Sequence, residues 1–156
     1  SRTGTPDVLG YYILHEGLIG VIDETLTEID YDDLQDSKSQ EYDTTGGWVG
    51  ITDKYWLMAL VPNQEETVKA RYQAIAKGDD FKYQSDYLGA TQTLAAGASV
   101  TSSSMLFAGA KQTTLLDHYQ DDLGIKNFDL AVDFGFLVVC QLVSHWRGDK
   151  TRRDGV

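Results

Sequence analysis

The chain has 156 residues and a mass of 17.3 kDa, which is room for one domain with a real core, since a domain of this size buries roughly 70% of the surface its unfolded chain exposes. Hydrophobic residues at 42% and charged residues at 24% sit near the globular average and exclude a disordered chain. A formal net charge of −11 repels phosphate backbones and argues against nucleic acid as a partner.

In chain order, short runs rich in Tyr, Trp, Val, Ile and Thr are punctuated by glycine, the texture of consecutive antiparallel strands. The runs predict strands near 10–15, 18–22, 25–30, 46–53, 55–61, 68–76, 81–88, 91–95 and 99–107. The polar, aperiodic stretch 32–46 predicts an exposed loop. In 55–61, Tyr55, Leu57, Ala59 and Val61 alternate with Trp56, Met58 and Leu60, so neither face is polar and a strand covered on both sides is expected. In 81–88, Phe81, Tyr83, Ser85 and Tyr87 share one face and Lys82, Gln84 and Asp86 the other, the mark of a half-buried strand. Thr114 three residues before Asp117, with Leu115, Leu116, Tyr119 and Leu123 at helical spacing and Gly124 as a stop, predicts a helix over about 112–123. The stretch FDLAVDFGFLVVCQLVSHW that follows suggests a second apolar helix or an interfacial segment.

Candidate chemistry is sparse. Cys140 is the single cysteine, which removes an internal disulfide and any cysteine-cluster metal site. His15, His118 and His145 fall in different expected elements without metal-ligand spacing, so no metal and no cofactor is expected. Asp32–Asp33, Glu65–Glu66, Asp79–Asp80 and Asp121–Asp122 read as solvated pairs, although two facing carboxylates would suit glycoside hydrolysis. Ser99–Ser104 lacks a nucleophile elbow, and Gly46, Gly47 and Gly50 lack the Lys-Ser/Thr of a phosphate loop. The chain is therefore expected not to be an enzyme, with no catalytic, cofactor-binding or metal residues.

No segment approaches the roughly 20 apolar residues of a spanning helix; 134–143 is about half that. The start SRTGTPDVLGYY has no initiator Met and no apolar signal region, so the chain reads as a piece of a longer polypeptide. Phe136, Val139, Val143 and Trp146 fall on one helical stripe, and Arg147, Lys150, Arg152 and Arg153 follow. Aromatic and basic side chains together mark Phe136, Val139, Val143, Trp146 and Arg147 as a candidate membrane-interface set, with a core helix as the equal alternative.

Three blocks carry a family resemblance. GWVGITDKYWLMALVP (47–62) resembles a block of the periplasmic domain of YidC-type membrane protein insertases. GYYILHEGLIGVIDETLTEIDYDDL (10–34) and LFAGAKQTTLLDHYQDDLGIKNFDLAVDFG (106–135) are similar to the segments flanking it, in the family's order. The resemblance implies a mainly β fold, an antiparallel β-sandwich of which this chain is the later half, with one or two C-terminal helices. It implies a β-sandwich portion over 1–110, a helix and linker over 111–135, and an apolar and basic segment over 136–156 that departs from the family. Upstream strands would then pair with sheet edges left open here. Function by resemblance is assistance to insertion and folding of proteins in the bacterial inner membrane, from its periplasmic side. The partners it implies are the Sec translocon with SecD/SecF, nascent inner-membrane proteins through a membrane core absent here, and the membrane surface. The rival reading is a stand-alone carbohydrate-binding sandwich, supported by 3 Trp, 9 Tyr and 5 Phe that could stack on sugars.

Overall fold

The structure, a computed structural model, describes residues 1–6 and 14–132. Its strands are β1 (Arg2–Thr3), β2 (Gly17–Ile22), β3 (Thr25–Asp30), β4 (Ser39–Thr45), β5 (Trp48–Asp53), β6 (Trp56–Val61), β7 (Thr67–Lys77), β8 (Asp80–Leu88) and β9 (Met105–Ala110). Helix α1 (Tyr31–Ser37) sits between β3 and β4, and α2 (Thr113–Leu123) follows β9, then a 3₁₀ turn over Phe128–Ala131.

The strands form two antiparallel sheets, one ordered β1-β8-β7-β4 and the other β3-β2-β5-β6-β9. Period-2 alternation gives the five-stranded sheet two apolar faces. One packs on the four-stranded sheet through Leu18, Val49, Tyr72 and Tyr83, joined by Tyr31 and Leu34 of α1. The other packs under the C-terminal elements through Ile19, Val21, Trp48, Leu57, Leu116 and Phe128. The result is sheet on sheet on helix, so β2 is buried along its whole length. Burying that many apolar side chains, at roughly 1.5–3 kcal/mol each, is what holds the layers together.

Close approach explains two glycines, one facing the other sheet and one beside a neighbouring strand of its own sheet. A side chain at Gly20 would collide with the Tyr72 hydroxyl, which crosses from the facing sheet to donate to Ile19 O at 3.1 Å. Gly47 adopts φ 76° in the β4–β5 turn, and a Cβ there would strike Val21 O.

Most expected strands are present, as is the helix near 112–123. Four expectations are corrected. Segment 32–46 is mostly helix α1 and strand β4 rather than loop. Tyr31 and Leu34, one helical turn apart, bury the only apolar face α1 has. In β4 the inward side chain Thr44 is polar and hydrogen-bonded to Asp23 N, so the alternation is invisible to hydropathy. Segment 91–95 forms no strand, and the strand expected over 99–107 starts only at Met105. The Ser and Thr side chains before it have no apolar face to bury. The strand expected at 10–15 falls largely on undescribed residues, with Leu14 and His15 outside any strand.

The fourth correction concerns β6. Trp48, Leu57 and Ala59 are buried, but Tyr55 and Trp56 are 68% and 64% exposed and Leu60 is only half-buried. The strand is covered along one face and only at Leu60 on the other. In α2, Leu116 is buried, Leu115 and Tyr119 are half-buried and Leu123 is exposed.

Candidate functional site

The two sheets overlap only in part. β4 lies against β2 and β8 against β5, and on the corresponding face of β6 Leu60 packs against that core while Trp56 and Met58, and Leu106 of β9, stay largely exposed. Trp56, Met58 and Leu60 of β6 point to this side together with their cross-strand partners Ala110, Ala108 and Leu106 on β9. Met58 is 49% and Leu106 64% exposed. A cleft of about 380 Å³ opens here between the start of the chain and β5, β6 and β9, with Ile51, Trp56, Met58 and Ala108 in its lining.

Arg2 builds the opposite wall. Its guanidinium pairs with Asp53 and lies 5.5 Å from the centroid of the Tyr31 ring. Tyr31 donates to Asp53 Oδ1 at 3.5 Å and packs on Tyr83, centroids 4.5 Å apart. Burial raises the Tyr31 phenol above its usual range, with Arg2 opposing the shift, so the hydroxyl stays a neutral donor. Tyr83 hydroxyl is held by Gln35 Nε2 and Thr5 Oγ1, each at 2.6 Å. This network pins two-residue β1 to β8, where ladder bonds alone would be too few.

The sheet edges have defined hydrogen-bonding faces. Lys111 N donates to Tyr55 O, so 105, 107 and 109 turn their backbone groups toward β6. By alternation, Leu106 and Ala108 aim theirs outward along β9, a strand with no charged side chain. On the other sheet, Gly4 N donates to Phe81 O, so Ser85 and Tyr87 aim backbone groups at the side that β1 covers only from Gly4 to Arg2.

The sequence's candidate reactive groups are scattered. His15 bonds Leu18 O at 2.9 Å and sits 3.3 Å from Asp30, and His118 pairs with Asp122 at 2.9 Å one turn along α2. Asp80 Oδ1 accepts from Phe81 N and Thr5 N, a turn function. Ser99–Ser104 lies in the exposed segment before β9. Among the described residues no three His, Cys, Asp or Glu side chains are placed to hold a metal ion, and no helix is long and apolar enough to cross a membrane. Gly46 and Gly47 shape the β4–β5 turn, and Gln64 brackets it: Nε2 donates to Gly47 O and Pro62 O, and Oε1 accepts from Gly47 N and Lys126 N. Of the aromatics, Tyr55 and Trp56 stand exposed, and as consecutive strand-end residues they do not form one stacking platform.

A family model described as the YidC periplasmic domain matches residues 1–143. The chain belongs to that family. It is 42% identical over 146 residues to the membrane protein insertase YidC of Nitrobacter hamburgensis, covering 87% of this chain and 24% of the relative. The corresponding protein of Bradyrhizobium diazoefficiens is 43% identical over 145 residues, covering 87% and 23%. That of Rickettsia akari is 42% identical over 128 residues, covering 81% and 23%. The chain thus spans about a quarter of the length of the curated relatives it matches. Membership of this YidC family does not favour the carbohydrate-binding alternative.

Phe136, Val139, Val143, Trp146 and Arg147 lie outside the described residues, as do Cys140 and His145. Sequence reasoning missed the bare face at Met58 and Leu106. The two-sided apolar pattern of 55–61, which predicts coverage from both sides, equally marks a surface awaiting a partner.

Proposed function

We propose that this chain is a docking and positioning module of a YidC-type insertase, held on the periplasmic side of the bacterial inner membrane, with no catalytic activity of its own. The observation that carries the reading is the family match over residues 1–143. Its partners are the Sec translocon with SecD/SecF, while nascent inner-membrane proteins are handled by a membrane core outside this chain. Residues 1–110 form the sandwich portion, 111–135 the helical pack on the sheet, and 136–156 a peripheral apolar and basic segment.

The docking edge is β9. Leu106 and Ala108 present outward N–H and C=O groups beside an uncharged strand, the arrangement that accepts a partner strand. The test is capture of solubilised translocon containing SecD/SecF by the immobilised chain. Leu106→Lys combined with Ala108→Pro should reduce capture at least about tenfold, the effect of losing roughly 1.4 kcal/mol. Undiminished capture by that variant overturns β9 as the edge, and no capture by the unaltered chain overturns the partner.

For the C-terminal segment, Phe136, Val139, Val143, Trp146 and Arg147 form the membrane contact. Full-length chain should co-sediment with anionic vesicles in a salt-sensitive way, and a chain ending at Gly135 should not. Equal behaviour of the two overturns this role.

A further inference from the structure

Helix α2 is weak on its own terms and hangs between two well-held ends. An isolated helix shorter than roughly 12–15 residues is marginal in water, and α2 has 11. Its N-cap, Gln112, makes no side-chain cap bond, and the first turn has no acidic residue. The last turn has no basic residue and instead carries Asp121 and Asp122 at the negative end of the helix dipole. Leu116 is the one fully buried residue of the helix, whereas Asp117, His118, Asp121, Asp122 and Leu123 are exposed.

The flanks are built differently. Before α2, Lys111 N donates to Tyr55 O at 2.7 Å and Gln112 N to Ala110 O at 2.9 Å. After it, Lys126 N donates to Gln64 Oε1 at 3.0 Å, Asn127 Nδ2 to Glu24 O at 3.0 Å, and Trp48 Nε1 to Asn127 O at 3.3 Å. Phe128 then seats edge-on against both Trp48 and Phe107, its centroid 5.4 Å from each. Gly124, left-handed at φ 63°, joins the helix to this clasp, and the space where its side chain would stand is open.

We propose that α2 is a hinged lid, which swings away as a unit between Gln112 and Gly124 while the clasp at 125–128 and both sheets stay folded. Opening withdraws Leu116 from the cluster it shares with Leu57 and Val61, and Tyr119 from its edge-on contact with Phe107 at 6.0 Å. It also frees Gln120 Oε1 from Asp129 N, 3.2 Å away. What it uncovers is an apolar strip on β6 and β9, continuous with a cleft of about 360 Å³ at the Gly124 end that Val61, Pro62, Met105 and Leu123 help to line. Elements that move in proteins come from the low-stability end of the fold, and α2 is such an element held between stable ones. The chain can thereby present apolar surface on its outer layer without unfolding its sandwich. The inference rests neither on the docking role nor on β9 as the docking edge.

The test is amide exchange of the whole 156-residue chain, followed by NMR in increasing sub-denaturing urea. Amides of residues 117–123 should exchange at least about 100-fold faster than those of Val49 and Ile51 in central strand β5, and the Lys126 amide should stay protected beyond the helix. Exchange in α2 should also accelerate with urea, with a slope above zero and below that of global unfolding, because opening exposes some apolar surface but not all. Asp121→Lys improves the charge at the helix end and should slow α2 exchange at least about threefold. Four outcomes overturn the proposal. Protection of α2 equal to that of β5 means that it opens only with the whole fold. Loss of Lys126 protection together with α2 means that the entire cover leaves. Exchange independent of urea means fraying that uncovers nothing, and an unchanged rate in Asp121→Lys means that helix weakness does not set the opening.

Discussion

The two faces of the five-stranded sheet are built from the same kinds of residue and end differently. On the outer face Trp48 is fully buried, its indole edge-on to Phe128 with centroids 5.4 Å apart and its Nε1 donating to Asn127 O at 3.3 Å. On the inner face, one strand away, Trp56 is largely exposed. Apolarity and strand position are alike in the two. What differs is whether a later piece of chain returns to cover the side chain, and 113–131 returns only to the outer face. An aromatic in a strand therefore reports that a face needs covering, not that this chain covers it.

The contrast is sharpest on replacing Trp48. Trp48→Ala should cost about 3–5 kcal/mol, seen as a lower urea midpoint with unchanged slope, because it empties a site that Phe128 and Asn127 close. A loss under about 1 kcal/mol would mean that the helical cap contributes little to the outer face.

Gln64→Leu should cost about 1–3 kcal/mol, since it leaves the Gly47 and Lys126 amides without their shared acceptor. The same variant should raise proteolysis within 111–132 more than within β7 and β8.

Tyr72 tests the interior between the sheets. Tyr72→Phe should cost about 1 kcal/mol through loss of the bond to Ile19 O. Burial pushes the Tyr72 phenol far above its ordinary 10.0, and burial also raises Tyr31. A raised folded pKa favours the protonated, neutral phenol, so this stabilisation is complete below about pH 10 and is lost as pH rises beyond it. Unfolding measured from pH 8 to 11.5 should show the decline, and Tyr72→Phe should make it shallower. A steeper decline in the variant would reverse the argument.

The smallest effect belongs to the bare face. Trp56→Ala should change stability by less than about 0.5 kcal/mol in this chain while lowering its tendency to associate, followed by light scattering. A cost approaching that of Trp48→Ala would erase the distinction between the two faces.

Much of the architecture was legible because it is local. Alternation in 81–88 correctly separated Tyr83 from Lys82, and the Thr114–Gly124 signals located α2 to within a residue or so. What stayed hidden depends on residues far apart in sequence. β4 is a strand because Lys69, Ala70 and Arg71 of β7 offer it a ladder, and its inward Thr44 is satisfied by the Asp23 amide. Exposure of Trp56 depends on where β8 and β1 stop, which no window around residue 56 contains. For the candidate site, the absence of metal-ligand spacing could be read directly, whereas the cleft beside Arg2 and Asp53 joins residues about fifty positions apart.

Gln64 has a consequence in time. Its carbonyl oxygen accepts from Gly47, 17 positions earlier, and from Lys126, 62 positions later. When residues 47–64 reach the periplasmic side before residue 126 does, the bond to Gly47 can form first, leaving one lone pair of the oxygen to water. Lys126 can then take the place of that water, and Asn127 and Phe128, next in sequence, close over the Trp48 indole. One amide group thereby ties the β4–β5 turn to the helical cover, and the Trp48 face stays open to solvent until a segment some sixty residues further along the chain arrives.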